Sequence, residues 1–323
     1  MDITFSHHRA TDELQMPEVM PKNVPLPPTP SFCTQDELRE GLKHLRLPVS
    51  SLLHKCLSAA KGQEPEHPAS SPHADHDGIN NCQRCMLFYS SFVAIHPNKF
   101  TSLERVTLEQ SSSHLWHDSR KVRITASTAK KVPIRGNPQT YIREHLYPRF
   151  HGNAATNHGL ESEASALQWL EGCGFIVSRK GTVVCASEPW LSASPDGVLN
   201  SEELLEITCP LLKTDESLED LFKSQRYDVR MVEGTPELQP NGPRGFYMQV
   251  QLAMFCTGLR ACKLLIWVPS QQVLLHVPYN EQFCAKTVAR LKTFYFKYML
   301  PHVSDEFQEG RLLLSTRYLQ LCK

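Results

Sequence analysis

Two acids ten residues apart raise the first chemical question, in the stretch LSASPDGVLNSEELLEITCP at residues 191–210. Asp196 stands between Pro195 and Gly197, the composition of a turn at a strand end. Glu206 lies inside the short apolar run LLEITC. Side chains alternate along a strand, so Glu206 and Thr208 share one face and Leu205 and Ile207 the other. A hairpin that returns Glu206 beside Asp196 puts both carboxylates at one edge of a sheet. Converging carboxylates suit Mg²⁺, a hard cation that polarises a phosphate and helps ionise the attacking water in phosphodiester cleavage. The plainer alternative is that Asp196 only shapes a turn and Glu206 faces water on an edge strand.

Other segments bear on the same question. In NHGLESEASALQWL, Glu163 precedes Ala166, Leu167 and Leu170 by three, four and seven residues, on one helical face. A carboxylate on an apolar face is costly unless charge compensates it, as a metal would. In FYMQVQLAMF, Gln249 can point into the same site while Met248 and Leu252 pack near it, although a lone Gln on a helix is more often on the surface. From Arg120 to Arg135 there are six basic residues and no acid. Such a run is ordinarily a solvated face. Yet Arg120, Ser127 and Ser194 are also the residue types that clamp a terminal phosphate, a fork of donors with hydroxyls for the remaining oxygens. A last cluster, His73, His76, Cys82 and Cys85 in HADHDGINNCQRC, has zinc-compatible spacing. Its pairs are separated by only five residues in a linker-like segment, so a structural zinc is not expected.

These residues need elements to position them. The chain has 323 residues, enough for one or two domains, with 41% hydrophobic and 21% charged residues, enough for a globular core. Lys+Arg and Asp+Glu both number 34, so any nucleic-acid surface must come from local clustering. The amino terminus is polar, no apolar run approaches the ~20 residues of a membrane span, and the 11 cysteines are scattered. An intracellular protein with reduced thiols and no membrane association is expected, nucleus or cytoplasm being open. Residues 1–99 read as leader and linker: proline-rich MPEVMPKNVPLPPTP, two short helices after Thr34, then a polar stretch over 62–81.

Residues 100–323 read as the ordered domain. ESEASALQWLEG is a helix, with Ala164, Leu167 and Leu170 at three-residue spacing. FIVSRKGTVVCASEPWLSAS is a hairpin or meander broken at Lys180-Gly181, and LLEITC a strand stopped by Pro210. GFYMQVQLAMFCTG is a helix capped by Gly258. CKLLIWV and VLLHVPY form a hairpin, and EQFCAKTVARLKTFYFKYML is a long helix. The sum is a mixed α/β layer fold, a central sheet flanked by helices.

LWHDSRKVRITAS, HGLESEASA, SPDGVL, LEITCP and YMQVQLAM occur in the order and approximate spacing of the YqaJ-like viral recombinase domain. This group includes the phage λ exonuclease, within the PD-(D/E)xK nuclease superfamily. The resemblance covers roughly residues 100–300. It implies a restriction-endonuclease-like core and a DNA exonuclease that degrades one strand from a 5′-phosphorylated duplex end with Mg²⁺ (or Mn²⁺), in recombination or repair. Eukaryotic copies often look virus- or transposon-derived. Asp196, Glu206 and Glu163 resemble the metal-binding acids, and Gln249 the active-site glutamine. Arg120, Ser127 and Ser194 resemble the pocket for the 5′-phosphate. A homo-oligomer is a further expectation, since λ-type enzymes encircle DNA as rings, but no residue here marks a subunit contact.

The departure is Thr208, which stands where the family pattern Leu-Glu-x-Lys-Cys-Pro has its catalytic lysine. Losing such a positioned charge typically costs ~10²- to 10³-fold in rate. Lys213 or Lys180 could substitute, the metal alone could sustain slow cleavage, or the domain could be a catalytically inactive DNA-end-binding module.

Overall fold

The computed structural model describes residues 82–148 and 154–323. Residues 1–81, with the two helices expected after Thr34 and with His73 and His76, lie outside these residues. Core packing begins well before residue 100. Helix α1 (Gln83–Phe88), continued by a π-turn (Tyr89–Val93), and helix α2 (Pro97–Val106) bury Cys85, Phe88, Val93 and Leu103. Pro97 at the first turn starts α2 where no backbone donor is needed. A single 3₁₀ turn (Gln110–Ser112) leads to α3 (His114–Lys121), β1 (Ile124–Thr125), α4 (Pro138–Leu146) and the long α5 (Ala154–Gly172).

Strands β2 (Val177–Ser178), β3 (Val183–Val184), β4 (Leu191–Ala193), β5 (Gly197–Leu199) and β6 (Glu203–Thr208) follow. After them come α6 (Leu218–Lys223), the hairpin β7 (Val229–Val232) and β8 (Thr235–Leu238), and α7 (Phe246–Thr257). The chain ends with β9 (Ala261–Val268), β10 (Gln271–Pro278), α8 (Glu281–Phe294), α9 (Leu300–Gln308) and α10 (Thr316–Cys322). The main sheet has the order β10-β9-β6-β5-β2; β6 and β9 are parallel and the other pairs antiparallel. This is a mixed sheet flanked by helices, as expected.

Alternation along the strands sorts the core into two layers. Leu205, Leu265 and Trp267 face α5, where they meet Ala166 and Leu170. Leu204, Leu264 and Ile266 face the other way, into the larger core that contains Val250 and Leu252 of α7 and Val288 and Leu291 of α8. The buried face of α5 therefore runs through Ala166 and Leu170, while Ala164, one of the three residues spaced by threes, is exposed.

One expectation is corrected. Residues 175–194 are not a single hairpin or meander: β2 joins β5 in the main sheet, while β3 pairs with β4 in a separate sheet of order β1-β4-β3. The break at Lys180-Gly181 is where the chain leaves one sheet for the other. Gly181 permits the crossing because a Cβ there would lie 2.1 Å from the Glu104 carbonyl oxygen at the end of α2. Thr107 closes the same contact, its hydroxyl accepting the Thr182 N–H at 2.8 Å. The other punctuation marks hold. Gly258 ends α7 in the left-handed conformation at φ 76°, and Pro269-Ser270 turn β9 into β10.

Candidate active site

Strands β5 and β6 pair with Gly197 opposite Leu205, so the next residues outward, Asp196 and Glu206, are cross-strand neighbours. Asp196 Oδ2 accepts the Ile207 N–H at 2.6 Å, which fixes the turn to the strand. Glu206 projects toward α7, being on the Leu204 side of its strand, and is 5% exposed. Its Oε2 accepts Gln249 Nε2 at 2.7 Å. The second glutamine of the helix, Gln251, points elsewhere: it is fully buried and bonds the Pro278 carbonyl and the Asn280 N–H.

Glu163, on α5, completes the cluster. Its charge acts on both Asp196 and Glu206. Burial first, and the Glu163 charge second, push the Asp196 carboxyl up to about 7, against the Ile207 N–H and the Arg179 charge. Burial and the Asp196 charge raise Glu206 well above the carboxylate range, against the Gln249 hydrogen bond. Asp196 and Glu206 are thus paired across the strands, and the Glu163 charge acts on both. Uncompensated carboxylates of this kind suit a hard divalent cation. Among the described residues no group of three or more His, Cys, Asp or Glu is set to hold an ion as it stands. Glu163 is instead turned to Arg179, whose Nη2 lies 3.4 Å from its Oε1.

The lysine position is occupied by a neutral pair. Thr208 Oγ1 is 2.9 Å from the hydroxyl of the fully buried Tyr227, and the Arg244 guanidinium lies 5.0 Å above the Tyr227 ring. Neither lysine weighed as a substitute stands free at the acids. Lys180 Nζ is bound to Glu104 Oε1 at 2.8 Å, and Lys213 is exposed beyond the strand, where its N–H bonds Glu216. The cation at the cluster is Arg179. Its position one residue before Lys180 and just past β2 is the signal that could have found it.

A second group forms around Arg120. The guanidinium stacks 4.1 Å over the Trp116 ring and donates to Ser127 Oγ at 3.2 Å. Trp116 Nε1 in turn donates to Ser194 Oγ at 2.9 Å. Arg120, Ser127 and Ser194 are therefore joined through Trp116, which sequence reasoning missed. Among the described residues no acid pairs with Arg120, and burial lowers its pKa to about 10. The groups packed near it are Tyr141, whose pKa is raised by burial, and His145, lowered to about 4 by burial and by the Arg120 charge. A partly desolvated cation among hydroxyls, without a carboxylate, suits an anion. Ser194 and Asp196 are two residues apart, so one loop links this group to Asp196. Gln110 Nε2 braces that loop, donating to the Pro195 carbonyl at 3.2 Å and the Lys180 carbonyl at 3.3 Å.

The basic run from 120 to 135 is not one solvated face. Arg123 is fully buried and bonds the Val93, Ser119 and Pro189 carbonyls and the Tyr318 hydroxyl, a structural tie. Lys121 pairs with Asp118 at 3.0 Å. Of the suggested zinc ligands, Cys82 precedes α1 and Cys85 is buried in the core, where burial, followed by Cys82, raises its thiol to about 12. Among the described residues no helix is long and apolar enough to cross a membrane.

Comparison with known proteins bears on the same stretch. Residues 115–260 match the family described as the YqaJ-like viral recombinase domain, which spans Arg120, the three acids, Thr208 and Gln249. Among solved structures, an alkaline exonuclease (LHK-Exo) from Laribacter hongkongensis is similar at 22% identity, covering 61% of this chain and 97% of that one, with a TM-score of 0.47. LHK-Exo in complex with dAMP is similar at 21% identity, covering 62% of this chain and 100% of that one, also with a TM-score of 0.47. No curated protein matches the chain.

Proposed function

Taking residues 115–260 as a YqaJ-like viral recombinase domain, we propose that the protein is a metal-dependent DNA exonuclease acting on 5′-phosphorylated duplex ends. The observation that carries this reading is the cross-strand pairing of Asp196 with Glu206, with the Glu163 charge acting on both and the Arg120–Trp116–Ser194 group reaching the loop that leads to Asp196. Asp196, Glu206 and Glu163 would hold Mg²⁺ or Mn²⁺. When bound, that ion would neutralise the carboxylates, polarise the phosphate and lower the pKa of water.

The chain's own residues do the rest. Gln249 holds the Glu206 carboxylate toward the site, and the Ile207 N–H holds that of Asp196. Arg120, Ser127 and Ser194 grip the terminal phosphate through charge-assisted hydrogen bonds. That grip selects which phosphodiester reaches the acids, so end recognition and positioning are one step. Double-stranded DNA ends are thus the partner. Thr208 contributes a hydroxyl already shared with Tyr227, and no charge.

That shared hydroxyl favours a second reading, a DNA-end-binding module without turnover. A fluorescent 5′-phosphorylated duplex incubated with Mg²⁺ or Mn²⁺ separates the two. Cleavage by the parent, abolished in Asp196→Asn, supports the enzyme. If cleavage appears only in Thr208→Lys, the binding module stands and the exonuclease reading fails. In the enzyme, Thr208→Lys is expected to raise the rate by ~10²-fold or more, the worth of one positioned electrostatic group.

A further inference from the structure

The acids, and the DNA phosphates expected beside them, are all negative, so the source of positive charge at this site decides what it can do. Lys180 is engaged with Glu104, and Lys213 is exposed beyond the strand. Arg179 alone among the described residues pairs with one of the three acids, and its charge is felt at Asp196. Its contact with Glu163 is long, 3.4 Å through one nitrogen, and the Arg179 side chain is 52% exposed. A pair of that kind is weak and readily exchanged. It also keeps Glu163 turned to the guanidinium, consistent with the absence, among the described residues, of a ready-made three-acid ion site. The position is fixed by the fold: Arg179 directly follows β2, the edge strand paired with the β5 strand that Asp196 leads into.

We propose that Arg179 is an exchangeable cation: it holds Glu163 while no metal is bound, and when a divalent ion takes Glu163 the released guanidinium binds a phosphate of the DNA strand. This rests on the metal-site reading above. The guanidinium suits the second role because its planar fork of donors matches two phosphate oxygens. The chain thereby carries at Arg179 a positive charge that Thr208 cannot supply.

The test uses the full chain and two ligands that need no turnover. Mn²⁺ is titrated by calorimetry at low salt into the parent, Arg179→Met, Arg179→Lys and Asp196→Asn. Loss of a competing charge makes Arg179→Met bind Mn²⁺ about two- to five-fold more tightly, the range of an exposed pair. Arg179→Lys keeps the charge and stays near the parent, which separates charge from any effect on folding. A 5′-phosphorylated duplex is then bound with Ca²⁺ in place of Mg²⁺. Arg179→Met weakens this binding about three- to ten-fold and lowers the slope of log affinity against log salt by about one. Unchanged or weaker Mn²⁺ affinity in Arg179→Met overturns the hold on Glu163, and unchanged duplex affinity overturns the phosphate role. In both cases loss of Mn²⁺ binding in Asp196→Asn leaves the metal site standing. A parent that takes up no Mn²⁺ overturns the metal site and the exchange together.

Discussion

At the scale of single residues, the site turns on charges that the fold leaves uncompensated. Burial, and then the Glu163 charge, raise the folded Asp196 carboxyl from 3.8 to about 7. A folded-state pKa above the unfolded one means that this group's contribution to stability is complete below the ordinary value and is lost as pH rises through about 7. Glu206 is shifted in the same direction. The metal-free protein therefore loses stability between pH 3.8 and about 7, where the unfolded carboxyl is ionised and the folded one is not. A divalent cation held by these acids in the folded state alone would restore it. The melting temperature with and without Mg²⁺ should differ more at pH 8 than at pH 6, and Asp196→Asn should abolish the difference at both. An equal metal shift at the two pH values would contradict the assignment of raised acids to the ion.

Some of this was legible in the sequence and some was not. The pairing of Asp196 with Glu206 follows from a Pro-Asp-Gly turn and the two-residue period of a strand, both local facts. The Tyr227 partner of Thr208 lies 19 residues on, behind α6, and no periodicity points to it. Arg179 is not marked by the family pattern, which has a lysine at the Thr208 position, and the nearby lysines are Lys180 and Lys213. Arg123 shows the opposite error. In sequence it is one basic residue among six, yet it is buried against four hydrogen-bond acceptors, three of them from distant segments.

At the scale of elements, loops at the sheet edge bring the two groups of residues together. Trp116 on α3 links Arg120 to Ser194 of the loop after β4. Trp116→Phe keeps an aromatic face under the guanidinium and removes only the N–H to Ser194. The variant should stay folded and lose about three- to ten-fold of its preference for a 5′-phosphate over a 5′-hydroxyl duplex, the worth of a hydrogen bond of about 1 kcal/mol. Binding assays with the two duplexes would read the ratio, and an unchanged ratio would remove Ser194 from the cradle. The crossing at Gly181 gives a stability test of the split between sheets. Gly181→Ala forces a methyl against the Glu104 carbonyl and the Thr107 hydroxyl, so urea unfolding should show a loss of about 1–3 kcal/mol. Strand propensity marked β2, β3 and β4 in the sequence, but propensity does not name a strand's partner. The meander was therefore expected as one unit where the chain divides it between two sheets.

At the scale of the molecule, the mixed sheet separates two jobs. Its α5 face is apolar through Ala166, Leu170, Leu205 and Leu265, and its α7 face begins apolar at Leu204 and ends polar at Glu206 and Thr208. The acids sit where β5, β6 and α5 converge, while the anion cradle is built from α3 and the turn after β1. That Glu163, Asp196 and Glu206 would together hold a divalent ion is the claim on which the proposed function depends, and calorimetric titration of Mn²⁺ at pH 8 tests it most directly. The account predicts saturable uptake by the parent and its loss in Glu163→Gln, Asp196→Asn and Glu206→Gln, each checked for folding by circular dichroism. Uptake that persists in all three folded variants, or no uptake by the parent, would contradict it.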